Sequence, residues 1–283
     1  MNRGRNIAIW FIVALLVVAV CRFWMQGQTP KLGGVPIAGG DAGGLPRADA
    51  STEGFDATPF QAAVEWAGKQ RAGALLVSRH GHLLIEHYSS GANVDTLIAG
   101  GGMSDAVVLL SAGTAVPQLD RSLPASEAVD ATPLAAAIAK ASGRSFPQFL
   151  SRNVWQPLNA APARWSEAEV SARAIDWLRV AELLLHDGRF EGTQVVPAGW
   201  AARVPLQRTA PGAEPFADKD MRYLRGRGAT RLWLSPRFDL AILSVAGAVQ
   251  SADETRLPNM IVRALRERPG VSGTSLNDLV PGH

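Results

Sequence analysis

The apolar run from Ile7 to Cys21, broken only at Arg22 and resumed over Phe23, Trp24 and Met25, constrains this chain more than any other feature. As one helix, residues 7–25 comprise 19 residues and rise about 28 Å, close to the hydrocarbon thickness of a bilayer. Arg22 can extend its head to the boundary, and Trp24 suits the interface. Arg3 and Arg5 within residues 1–6 favour a cytoplasmic N-terminus, which sends the rest of the chain across the membrane. The expectation is an uncleaved signal anchor in a bacterial inner membrane, single-pass, with a periplasmic body. Two competing readings put the body on the same side. A cleaved signal peptide has the same charge pattern, but no convincing small-x-small site follows the run. Lipidation at Cys21 meets a bulky valine in Val18-Ala19-Val20-Cys21, where such signals need a small residue.

Residues 26–55 hold eight glycines and three prolines with little apolar periodicity, a composition expected of a flexible tether. The body is then expected over residues 56–270, with 271–283 as a loose tail. Hydrophobic residues make up 47% of the chain and charged residues 19%, so the body can bury a core and is not disordered. The single cysteine excludes a disulfide framework and a cysteine-built zinc site. A net charge of +3 without a lysine/arginine run gives no nucleic-acid footprint. No cofactor or metal is expected. Only four basic residues are lysines, Lys31, Lys69, Lys140 and Lys219.

Within the body, residues 59–70 fit a short helix. Residues 74–78 and 82–88 read as a hairpin turning at His80-Gly81. A mostly buried helix is expected over 103–116, then helices at 134–141 and 146–154 separated by Gly143, and one at 171–186 ending before Gly188. Residues 230–234 and 240–245 form a second hairpin around Ser235-Pro236-Arg237, and a final helix covers 260–265. Strands at both ends with helices between them predict an α+β fold, one antiparallel sheet flanked by helices and preceded by the membrane helix.

Four stretches in sequence order carry a resemblance. They are GALLVSRHGHLLIEHYSSGANVDTLIAGGGMSDAVVLLSAGTAV, ASGRSFPQFLSRNVWQPLNAAPARW, ARAIDWLRVAELLLHDGRFEGTQVVPAGW and GRGATRLWLSPRFDLAILSVAG. Together they resemble the class C β-lactamase-related, penicillin-binding-protein-like serine hydrolases, including the aminohexanoate-oligomer-hydrolase-like branch, over most of residues 72–247. The resemblance implies a β-lactamase/transpeptidase-like body and three catalytic motifs.

All three motifs are altered. S-x-x-K places a nucleophilic serine and a lysine one turn apart on one helix face. By resemblance it falls at Gly102-Met103-Ser104-Asp105, with glycine for the serine and aspartate for the lysine. No register shift restores it, because the residues three before the lysines are Gln28, Trp66, Ala137 and Phe216. Y-x-N finds no match at either tyrosine, Tyr88 or Tyr223. Only about a dozen residues separate Leu119-Asp120 from the helix at Leu134, where the family carries a larger helical insert. K-T-G or H-x-G becomes Gly226-Arg227-Gly228, whose arginine keeps a charge but cannot serve as a base near neutral pH.

No catalytic residue is therefore assigned with certainty. Ser104 is the fallback nucleophile, but its favoured reading is a helix N-cap with Asp105 in the first turn. The Gly100-Gly101-Gly102 run reads as a tight crossing. Arg227 is expected either to face solvent or to pair with Asp105. His80 and His82 read as solvated turn residues, and Trp155, Trp165, Trp177 and Trp200 as core. The functional expectation is a membrane-anchored pseudoenzyme that binds or scaffolds an envelope protein. The alternatives are an active esterase or amidase using Ser104, and a residual module for peptidoglycan fragments or other amide ligands.

Overall fold

The segments Ala-Leu-Leu-Val at 74–77 and Leu-Ala-Ile-Leu at 240–243 offer no polar face, so strands built from them require cover on both sides. A computed structural model, which describes residues 33–70, 72–89, 91–115, 131–209, 214–245 and 254–266, shows that cover. Strands β2 (Ala74–Arg79), β3 (His82–Tyr88), β9 (Arg222–Arg225), β10 (Arg231–Ser235) and β11 (Leu240–Val245) form an antiparallel sheet in the order β3-β2-β11-β10-β9. Side chains alternate between two cores. Leu76, Leu232, Leu234, Ala241 and Leu243 enter one, while Leu75, Val77, Trp233, Leu240 and Ile242 enter the other.

The second core is closed by α1 (Ala57–Lys69), through Phe60, Ala63 and Ala67, and by α6 (Arg256–Arg263), through Leu257, Ile261 and Val262. The first is closed by α2 (Gly102–Ala115), α3 (Ala131–Ser142), α4 (Phe146–Leu150) and α5 (Ala174–Leu185). The fold is α+β, with antiparallel sheets flanked by helices. The His80-Gly81 turn is confirmed, with φ of 50° and 76° at its two residues. Both are left-handed values, as a two-residue hairpin turn requires. Trp155, Trp177 and Trp200 are buried, and Trp165 packs against Phe146.

Four differences from the sequence reading have physical causes. First, α5 begins at Ala174, because Ser171, Ala172 and Arg173 continue β6 (Glu169–Arg173). Second, β6 belongs to an unanticipated second antiparallel sheet, ordered β1-β5-β6-β4, with β1 (Val35–Ile37), β5 (Ala163–Ser166) and β4 (Leu97–Ala99). Strands this short leave almost no periodicity to read. Third, α6 starts at Arg256, with Pro258 tolerated in its first turn, where no intrahelical donor is needed. Fourth, α3 begins at Ala131 rather than Leu134.

The glycine-rich segment after Gly34 is part of the body rather than a free tether. Ile37 is fully buried in β1, and the Gly40 N–H donates to the Ala160 carbonyl at 2.8 Å. A Cβ on Gly39 would lie 2.4 Å from that same carbonyl oxygen, so glycine here permits close approach of backbones. The buried Arg179, paired with the buried Asp176 at 2.5 Å, also donates to the Gly43 carbonyl. The expected membrane helix at 7–25, most of the shortened insert and the tail lie outside the described residues. Among those described, no helix is long and apolar enough to cross a membrane.

Ile37→Ala distinguishes a packed strand from a tether. It is expected to lower the unfolding free energy by about 2–5 kcal/mol in urea denaturation, whereas a substitution in a solvated linker changes it little.

Candidate functional site

The turn from β4 into α2 is made of Gly100, Gly101 and Gly102, and three other elements crowd it. A Cβ on Gly100 would lie 2.5 Å from the Trp177 ring, one on Gly101 2.8 Å from the Arg227 backbone nitrogen, and one on Gly102 2.8 Å from the Arg225 carbonyl oxygen. Real side chains essentially never reach such distances without displacing their neighbour. Gly101 also has a left-handed φ of 51°. The tight crossing expected from the sequence is therefore present, and its partners are Trp177 of α5, β9 and the β9–β10 turn.

Ser104 lies within α2 rather than before it, which corrects the N-cap reading. Its hydroxyl oxygen accepts the Val170 N–H at 2.9 Å, and the side chain is buried. The same Val170 accepts the Gly100 N–H through its carbonyl at 2.9 Å. Ser104 thus ties α2 to β6. Asp105 does occupy the first turn of α2, where a carboxylate complements the helix dipole.

Arg227 faces solvent, one of the two expectations, and there it pairs with Glu169 rather than with Asp105. Its Nε lies 3.1 Å from both carboxylate oxygens, and Nη2 donates to Oε2. Glu169 Oε1 also accepts the Gly101 N–H at 2.7 Å. Burial opposes ionisation of Glu169, but the bonds from Arg227 and Gly101 outweigh it and hold the carboxyl below its ordinary range. Sequence reasoning missed Glu169, because it is tied to no motif and lies 58 residues from Arg227 in the chain.

Neither tyrosine reaches this corner as a base. Tyr223 points into the core beneath α1 and α6 and donates to Glu254 at 2.8 Å, since its parity in β9 opposes that of Leu224. Tyr88 lies on edge strand β3, where burial and its bond to Glu86 push the phenol above its usual range. His80 and His82 keep substantially exposed side chains, as expected of turn residues, with their Nδ1 atoms 2.7 and 3.1 Å from the Glu53 carboxylate.

Beside the triglycine turn, a recess of about 410 Å³ is lined by Gly102, Asp105, Leu206, Gln207, Arg225 and Gly226. None of these side chains is a nucleophile of the serine, cysteine or lysine type. The recess offers the Asp105 carboxylate and the Gln207 amide, whereas the Arg225 guanidinium turns to the Tyr223 hydroxyl and the Glu254 carboxylate, each at 3.1 Å.

Comparison with solved structures places the whole arrangement. A protein from Bacillus anthracis described as a 6-aminohexanoate-dimer hydrolase superposes with a TM-score of 0.60 at 14% identity, covering 81% of this chain and 89% of that one. The fold is that of the β-lactamase-related serine hydrolases. Proteins described as β-lactamases from Bacteroides dorei and Mycobacterium bovis give TM-scores of 0.53 and 0.51. Their identities are 13% and 16%, and they cover 74% and 70% of this chain and 99% and 96% of their own. No family model and no curated protein matches the sequence. In this β-lactamase-related fold, α2 is the helix to which the S-x-x-K resemblance assigned Gly102.

Two outcomes test this geometry. Gly102→Ser, which restores a serine, is expected to destabilise the protein by about 1–3 kcal/mol in urea denaturation, because β9 must move. The Glu169 carboxyl is depressed on folding, so its contribution is present above the unfolded carboxylate pKa and lost as pH falls through the folded value. The stability difference between wild type and Glu169→Gln should therefore be largest near neutral pH and vanish on acidification. Urea midpoints taken from about pH 7 down to about pH 3 check this.

Proposed function

We propose that this protein is a membrane-anchored pseudoenzyme of the cell envelope, which uses a serine-hydrolase fold to bind a partner or an amide-containing ligand without acyl transfer. The observation that carries the proposal is the closed approach at Gly102. Acyl transfer needs a nucleophile with a base in reach and open space for the acyl carbon. Here the Arg225 carbonyl lies 2.8 Å from where a Cβ at position 102 would sit. The nearest serine in sequence, Ser104, is buried and holds the Val170 N–H.

The anchor at residues 7–25, with Arg3 and Arg5 before it, supports an inner-membrane location with the body in the periplasm. Two further readings are ordered by the same geometry. The recess beside Asp105 and Gln207 supports a residual site for peptidoglycan fragments or another amide ligand. An esterase or amidase using Ser104 has the least support, because that hydroxyl faces β6 rather than solvent.

The test is covalent labelling of the full-length protein with a fluorophosphonate probe and a fluorescent β-lactam. The expected result is no adduct with either reagent. An adduct on wild type that disappears in Ser104→Ala overturns the proposal. A thermal-shift titration with muropeptides then separates ligand binding from a pure protein-interaction role, because only the former raises the melting temperature.

A further inference from the structure

A second polar cluster lies at the other end of β10, remote from the triglycine turn. Arg227 precedes that strand, whereas Asp239 follows it in the β10–β11 connection, with a left-handed φ of 46°. Glu182 and His186 stand four residues apart at the C-terminal end of α5 and therefore project from one face. Glu182 is buried. Its Oε1 accepts the hydroxyl of the buried Ser78 at 2.7 Å, and its Oε2 lies 3.4 Å from His186 Nδ1. His186 Nε2 lies 2.9 Å from Asp239 Oδ1. A cavity of about 380 Å³ opens against this cluster, bordered by Leu45, His80, Glu182, His186, Arg189 and Phe190.

We propose that Glu182, His186 and Asp239 form a binding site for a divalent transition ion of the zinc class, with the cavity supplying its open coordination position. One donor atom from each residue falls within 4.8 Å of the other two. Tetrahedral zinc with bonds of about 2.0–2.2 Å sets its donors roughly 3.3–3.6 Å apart, so a small rotation of the two half-exposed side chains closes the set. One imidazole nitrogen and two carboxylate oxygens form a donor set for zinc, iron(II) or manganese(II), and three protein ligands beside a cavity are the layout of an open site. Ser78 acts as the outer partner that orients the Glu182 carboxylate. The site depends on neither catalysis nor its loss at the triglycine turn. The competing arrangement is a self-sufficient ion-paired chain in which His186 bridges the two carboxylates.

Full-length protein purified in detergent and stripped with a chelator is titrated with zinc chloride in competition with a chromophoric chelator. One zinc per chain is expected, bound at about micromolar affinity or tighter. His186→Ala and Asp239→Asn should each weaken it about 10- to 100-fold. Asparagine tolerates the left-handed backbone at 239, so that variant should keep the fold, which a thermal melt of the zinc-free protein checks. Visible absorption of bound cobalt(II) should appear in wild type and disappear in Asp239→Asn. His87→Ala, which removes an exposed histidine outside the cluster and the cavity, should bind zinc as wild type does. Affinity weaker than about 100 µM overturns the site. So does binding unchanged in Asp239→Asn, or binding lost in His87→Ala.

Discussion

The body is organised around one close approach, the passage of the Gly100-Gly101-Gly102 turn beneath β9 and the β9–β10 connection. Backbone atoms of Arg225, Gly226 and Arg227 leave no room for a Cβ at Gly101 or Gly102, and the Ser104 and Trp177 side chains leave none at Gly100. The contact joins the two sheets, since β4 leads into the turn from one and β9 closes over it from the other. Its polar groups are satisfied locally. Val170 takes the Gly100 N–H and gives its own to Ser104, while Glu169 takes the Gly101 N–H and the Arg227 guanidinium. A dense backbone crossing with its donors paired leaves no space for a larger residue at Gly101 or Gly102.

The central sheet imposes the second constraint. Its strands are apolar on both faces, so the chain must supply helices for two cores. It does so with sequence-distant pieces, α1 and α6 on one side and α2 through α5 on the other. The segment before α1 becomes a further layer. Ile37 is buried in β1, Arg179 donates to Gly43, and the Asp56 N–H donates to the Ala264 carbonyl at 2.8 Å. Glycine-rich composition is ambiguous between a solvated linker and a strap lying close on a surface. At Gly39 and Gly40 the second applies, because Ala160 and Gln156 leave space for nothing larger.

Much of the fold was legible because it rests on local patterns. The two hairpins, their turn residues and the buried central helix follow from periodicity and from His80-Gly81 or Ser235-Pro236. The four-stranded sheet was not legible. Its strands hold three to five residues, and β1 pairs with a strand near residue 165, so no local pattern records the pairing. Gly102, Asp105 and Arg227 were singled out by the motif positions to which the resemblance assigned them. Glu169 was not, because nothing in the sequence links Glu169 to Arg227 before β6 and the β9–β10 turn meet. Glu182 and His186 were not singled out in the sequence either, and Asp239 joins them only in three dimensions.

The sequence alone determined that no serine stands three residues before any lysine, a matter of covalent order that folding cannot change. Its periodicity also placed strands at both ends of the body with helices between them. Only the tertiary structure decided what packs against Gly102, where Arg227 finds its counter-charge, and which face Tyr223 occupies. Those outcomes depend on strand register and on the approach of backbones far apart in the chain. A one-residue shift in β9 would exchange Tyr223 and Leu224 between the two cores.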